Sequence, residues 1–127
     1  MSSYLSGEDN IGDVIFSTVH PNLDIITSGT LPSNPSELLL SSRLPKLLTE
    51  LKREYDYVII DSSAIGSVTD TLSIMKLTDV NLIVFKRGET KKSAITKLEK
   101  MIEKYQIDNV GLILNRSKES LDKDSLV

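Results

Sequence analysis

Short, largely apolar runs alternate along the chain with longer segments in which leucines and isoleucines recur every three or four residues. The runs fall at 23–27, 57–61, 81–85 and 110–114. Their near-continuous apolar content is that of strands covered on both faces, and their alternation with helical segments predicts parallel α/β units. Between the first two runs, Leu40, Leu44, Leu47, Leu48, Leu51 and Tyr55 fall on one helical face, with Lys46, Glu50, Lys52 and Arg53 outside it. Pro45 is tolerated there if Ser41 or Ser42 is the N-cap, because the ring then lies in the first turn, where its missing N–H costs little. The preceding 35–39 forms a separate helical turn. A second helix is expected from near Val68 to near Thr78, with Ser67 and Asp70 at capping-box spacing. A third is expected over about 91–105, capped by Thr90 and turning Ile95, Leu98, Ile102 and Tyr105 inward. The stretch through His20 reads as a short helix around 11–16 plus loops. Residues 117–127 alternate charges with few apolar side chains and read as a frayed tail, so the folded α/β domain is expected over 1–116.

Composition narrows the chemistry. A chain of 127 residues forms one domain's worth of core, and 39% hydrophobic with 26% charged residues is a globular balance. The formal charge of −3 offers no general attraction to phosphate backbones, so nucleic acid is not an expected partner. With no cysteine and a single histidine, thiol chemistry and histidine-rich metal clusters are excluded. No apolar run approaches the roughly 20 residues a spanning helix needs. The N-terminal residues lack the basic-then-apolar order of a signal peptide. The expected location is therefore cytoplasmic, without direct membrane insertion.

Candidate chemistry lies where strands end, because ligands of open parallel sheets bind beyond the carboxyl ends of the strands. Tyr57-Val58-Ile59-Ile60 delivers Asp61 to such an end. P-loop NTPases hold Mg²⁺ through one carboxylate placed this way, usually through a coordinated water, although an Asp after a strand also serves as an ordinary turn residue.

Four stretches in order shift that balance. They are Tyr4-Leu5-Ser6-Gly7; Asn22-Leu23-Asp24-Ile25-Ile26-Thr27-Ser28-Gly29 with Leu31-Pro32-Ser33-Asn34-Pro35-Ser36-Glu37-Leu38-Leu39; Tyr55-Asp56-Tyr57-Val58-Ile59-Ile60-Asp61 leading to Val68-Thr69-Asp70; and Leu112-Ile113-Leu114-Asn115-Arg116. Over about residues 2–116 the chain closely resembles the bacterial tyrosine kinases (BY-kinases) of capsular and exopolysaccharide export. The resemblance implies an open, mainly parallel α/β sheet of the P-loop NTPase-like, Rossmann-like three-layer kind. It also implies ATP and Mg²⁺ for a complete domain. Asp61 matches the Walker B aspartate, a metal ligand through water, and Asn115 and Arg116 match the adenine-side wall.

The departures are equally informative. Phosphate cradling needs a Gly-rich loop ending in Gly-Lys-Ser/Thr. None of the six glycines here is followed by lysine. The family's Asp-x-Asp motif is missing, since Asp122 and Asp124 have the spacing but no strand before them. Ala64 stands where the family usually carries proline, and the tyrosine-rich tail is absent, while Tyr55, Tyr57 and Tyr105 read as core residues. The chain therefore resembles the C-terminal part of a kinase domain, inactive by itself and lacking the P-loop strand. In the family that strand lies beside the Walker B strand, so two strand edges here must pair directly, be covered or be exposed. Expected partners are the upstream half of the domain or a membrane polysaccharide co-polymerase at the inner face of the inner membrane, with self-association as a further possibility.

Three other features have plainer readings. His20 is a solvated loop residue, the lysines of the 91–105 helix interleave with Glu99 and Glu103 as a solvated face, and Gly66 and Gly88 supply turn flexibility. The alternative function is a non-catalytic regulatory or interaction module of polysaccharide export. A phospho-accepting receiver domain is rejected, because Ser28-Gly29 stands where it needs an acidic pair.

Overall fold

The computed structural model describes residues 1–62 and 68–117. The elements are α1 (Ser2–Ser6), α2 (Ile11–Val14), β1 (Phe16–Ser17), β2 (Asp24–Ile25), α3 (Pro35–Leu39), α4 (Arg43–Glu54), α5 (Val68–Met75), β3 (Asn81–Lys86), α6 (Lys92–Tyr105) and β4 (Val110–Asn115). They divide into two compact units, Met1–Leu77 and Thr78–Val127.

The first unit is built around α4. Ser42 is its N-cap and Pro45 falls in its first turn, as expected. Leu44, Leu47, Leu48 and Leu51 are buried and form one core cluster with Tyr4, Leu5 and Val14. Leu40 lies outside this stripe, 58% exposed, because it caps α3 and the break at Ser41 and Ser42 interrupts the helical phase. Arg43 ties α1 to α4. Its Nε donates to the Tyr4 carbonyl at 2.5 Å and its Nη2 to the Asp9 carbonyl at 3.1 Å, while its guanidinium lies 4.4 Å from the Tyr4 ring centroid. Helix α1 leaves no periodic signal in the sequence, being a five-residue turn too short to show one. Gly29 has φ +77°, and a Cβ there would lie 2.6 Å from Ser2 Oγ, so a glycine lets the 27–29 backbone run against α1.

Two strand expectations are corrected in this unit. The 23–27 run contributes only Asp24–Ile25, which pairs antiparallel with Phe16–Ser17 instead of joining a parallel sheet. The 57–61 run has no hydrogen-bonded ladder among the described residues. Val58 and Ile60 pack against the core while Tyr57 and Ile59 are 88% and 91% exposed, so Tyr57 is a surface residue rather than a core one. Alternate residues of an extended segment point to opposite faces, and here only one face is covered. Tyr55 is half-buried, and its hydroxyl donates to Asp24 Oδ2 at 2.6 Å. Helix α5 ends at Met75, short of Thr78, while Ser67 lies outside the described residues.

The second unit is a βαβ crossover. Strands β3 and β4 run parallel in the register Asn81↔Val110 through Lys86↔Asn115. Three polar side chains fix where the strands begin. Thr78 Oγ1 donates to Asn81 Oδ1 at 2.8 Å, Asn81 Nδ2 to Asn109 Oδ1 at 3.0 Å, and Asn109 Nδ2 to the Thr78 carbonyl at 2.7 Å. Leu98 and Met101 are the buried residues of α6. Ile95 is 37% exposed, because it lies about a quarter turn from the line between those two, and Ile102 and Tyr105 are half-buried. Lys91, not Thr90, is the N-cap, since the Thr90 hydroxyl is engaged by the Lys86 N–H at 2.9 Å. Leu82, Val84, Leu112 and Leu114 remain more than half exposed on the two strands. Residues 118–127, most of the expected tail, lie outside the described residues.

Candidate functional site

In the first unit, Val58 and Ile60 pack on the core and so fix the run of the chain that presents Asp61, an exposed carboxylate. The loop that follows, including Ala64 and Gly66, lies outside the described residues. Among the described residues no group of three or more His, Cys, Asp or Glu side chains could hold a metal. A single carboxylate suits Mg²⁺, a hard cation that keeps several waters and takes its remaining ligands from substrate phosphates. An open pocket of about 260 Å³ lined by Ser2, Ser6, Thr30, Ser33 and Asn34 also belongs to this unit, and none of the predicted site residues lines it.

In the second unit the chemistry gathers at the carboxyl ends of β3 and β4. The turn after β3 is closed by Glu89 N and Thr90 N donating to the Lys86 carbonyl, at 3.1 and 2.9 Å, and Gly88 supplies its positive φ of 79°. Arg87 N donates to the Asn115 carbonyl at 3.1 Å, which joins this turn to the end of β4. Arg116 is left-handed, φ 59°, and its N–H donates to Asn115 Oδ1 at 2.7 Å. The Glu89 carboxylate takes two cations on one oxygen, with Lys86 Nζ 2.5 Å and Arg116 Nη1 3.4 Å from Oε1.

The structure thus places Asp61 in one unit and brings Asn115 and Arg116 together in the other. Sequence reasoning missed Lys86 and Glu89. Their spacing identifies a contact only once residues 87–90 are known to turn back on the end of β3. His20 is exposed in its loop, as expected.

No family model matches. The tyrosine-protein kinase CpsD of Streptococcus agalactiae serotype III is 34% identical over 121 residues, covering 95% of this chain and 52% of that protein. The structure of the BceF tyrosine kinase domain superposes with TM-score 0.82 at 34% identity, covering 89% of this chain and 47% of that one. The chain belongs to the bacterial tyrosine-kinase family. The chimerical protein CapA2B2 gives the same TM-score, 0.82, over 93% of this chain and 52% of that one. The tyrosine-protein kinase ptk of Acinetobacter johnsonii is 33% identical over 115 residues, or 91% of this chain and 16% of that protein. The chain therefore spans about half the length of the first curated relatives it matches, as a C-terminal part of the BY-kinase P-loop domain. Among the described residues, no helix is long and apolar enough to cross a membrane.

Proposed function

We propose that this chain is the C-terminal part of an ATP-dependent protein-tyrosine kinase domain serving capsular or exopolysaccharide production. The observation that carries the reading is the 34% identity over 95% of the chain with a protein named as a tyrosine kinase. Asp61 holds Mg²⁺ through water, and Asn115 and Arg116 form the adenine side of the nucleotide site. Bound Mg²⁺ would neutralise charge on the transferred phosphoryl group, and the chain's own contribution is one carboxylate at the end of an apolar segment.

Because no glycine here is followed by lysine, the cradle for the β and γ phosphates must come from the upstream half of the domain, and the chain alone is inactive. That half, alone or with a membrane polysaccharide co-polymerase, is the partner, at the cytoplasmic face of the inner membrane. The test is to supply an upstream half bearing Gly-Lys-Ser/Thr and to measure Mg²⁺-dependent phosphotyrosine formation with and without Asp61→Asn. Loss of a metal contact worth several kcal/mol in the transition state should lower the rate by about a hundredfold or more. Stability should change by less than about 0.5 kcal/mol, because the side chain is exposed. Undiminished phosphorylation by the Asn variant would remove Asp61 from the metal site.

A further inference from the structure

The carboxyl ends of β3 and β4 hold a cluster in which the nucleotide reading gives Lys86 and Glu89 no role: Lys86 and Arg116 meet on the single carboxylate of Glu89. Glu89 is the fixed member. Its backbone N–H is tied to the Lys86 carbonyl at 3.1 Å, and its Oε1 is held by Lys86 Nζ at 2.5 Å. Arg116 is the adjustable one, with a long side chain 65% exposed that touches Glu89 Oε1 at 3.4 Å. A guanidinium on such a stem populates many rotamers unless a partner selects among them.

The neighbouring Asn115 is already oriented. Its Oδ1 accepts the Arg116 N–H at 2.7 Å, which leaves the Nδ2 hydrogens as donors suited to the ring nitrogens of a purine. What the base side lacks is a reason for the Arg116 side chain to stay beside Asn115, and Glu89 supplies it.

We infer that Glu89 is a positioning residue for nucleotide recognition, holding the Arg116 guanidinium at the end of β4 so that Asn115 and Arg116 together meet an adenine base. This rests on the reading of Asn115 and Arg116 as the adenine side. Lys86 has the complementary task of neutralising and anchoring Glu89, so that the carboxylate does not repel the ligand's phosphates. Both Glu89 and Arg116 are more than half exposed, so the effect is modest, about two- to fivefold in base affinity, the range of exposed ion pairs.

Neutral adenosine is the right probe, because it carries no phosphate and responds to geometry rather than to net charge. The ¹⁵N-labelled full chain would be titrated with adenosine into the millimolar range, following the amide signals of Asn115 and Arg116. The expected result is a saturable shift at those two residues. It should weaken two- to fivefold in Glu89→Gln, and Glu89→Gln should have no further effect in an Arg116→Gln background. Thermal midpoints of the variants should match the wild type, which separates positioning from a structural role. If wild-type adenosine binding leaves Asn115 and Arg116 unmoved, the adenine-side reading itself fails and takes this inference with it. If the wild type binds there but Glu89→Gln binds equally well, or if the two substitutions weaken binding additively, only the positioning role is overturned.

Discussion

Replacing Arg43 with alanine should destabilise the first unit by about 2 kcal/mol. The guanidinium makes two charge-assisted hydrogen bonds, to the Tyr4 and Asp9 carbonyls, and stacks over the Tyr4 ring at 4.4 Å. Taken alone, each such bond contributes about 1.5–3 kcal/mol and the cation–π contact about 0.5–1 kcal/mol. Two facts reduce the total. Arg43 is only half-buried, so water replaces part of what is lost, and the Tyr4 carbonyl keeps the Gly7 N–H at 3.1 Å. What remains is chiefly the Asp9 bond, the planar stack and the packing of the stem over α1. Arg43→Lys should lose about half as much, since one ammonium reaches one carbonyl and cannot lie flat on the ring. Urea unfolding followed by helical circular dichroism reads this directly. With a denaturant slope of about 2 kcal/mol per molar, Arg43→Ala should lower the midpoint by about 1 M. A change below about 0.2 M would show that the guanidinium contacts do not hold α1 to α4, and the account of the first unit would need another anchor.

Within the leucine-rich segment, Leu44→Ala should cost about 3 kcal/mol, because Leu44 is 2% exposed in the core cluster, whereas Leu40→Ala at 58% exposure should stay within about 0.5 kcal/mol; the same urea experiment separates them. The hydrogen bonds from Tyr55 and from Ser17 lower the Asp24 carboxyl below the usual range, and the bond to Asp24 raises the Tyr55 phenol above it. That contribution to stability is present above the ordinary Asp range and lost as pH falls through the lowered Asp24 value, and it is lost again as pH rises from about 10 through the raised Tyr55 value. Thermal midpoints across pH should show both limbs in the wild type, while Tyr55→Phe should lose the alkaline limb and keep only the smaller acid limb that the Ser17 bond supports, and identical profiles would contradict the bond. Calorimetric titration of the chain alone with ATP and Mg²⁺ should give no dissociation constant tighter than about 10 μM, roughly −7 kcal/mol, because the phosphate-cradling loop is not in the sequence. Tighter binding would reveal a nucleotide site outside the kinase-part reading.

Much of the fold was legible in the residues. The four leucines of α4, its start after Ser41 or Ser42 and the placement of Pro45 in the first turn follow from helical periodicity and the constraint on proline, which are local and nearly independent of partners. Strands β3 and β4 were found for a similar reason: dense apolar runs bounded by polar residues, joined by a helix of the length a parallel crossover needs. The family was read from Asn34 to Leu39 and the Asp61 segment, and the comparisons bear the family out. Asn115 and Arg116 were legible as positions at the end of a strand, and Asp61 as the position closing an apolar run.

Only the tertiary structure decided which apolar runs form ladders and which faces are covered. A strand is completed by hydrogen bonds to distant residues, so the 57–61 run announces an extended segment but not a neighbour, and Tyr57 reads as buried until its outward face is seen. Likewise 23–27 reads as an inner strand, yet two of its residues pair antiparallel with Phe16–Ser17. The phase of α6 was set by tertiary packing, which buries Leu98 and Met101 and leaves Ile95 at the margin. The Glu89 cluster lay furthest from the sequence's reach. Glu89 and Arg116 are far apart along the chain, and they meet only because a parallel register carries the ends of β3 and β4 to the same edge.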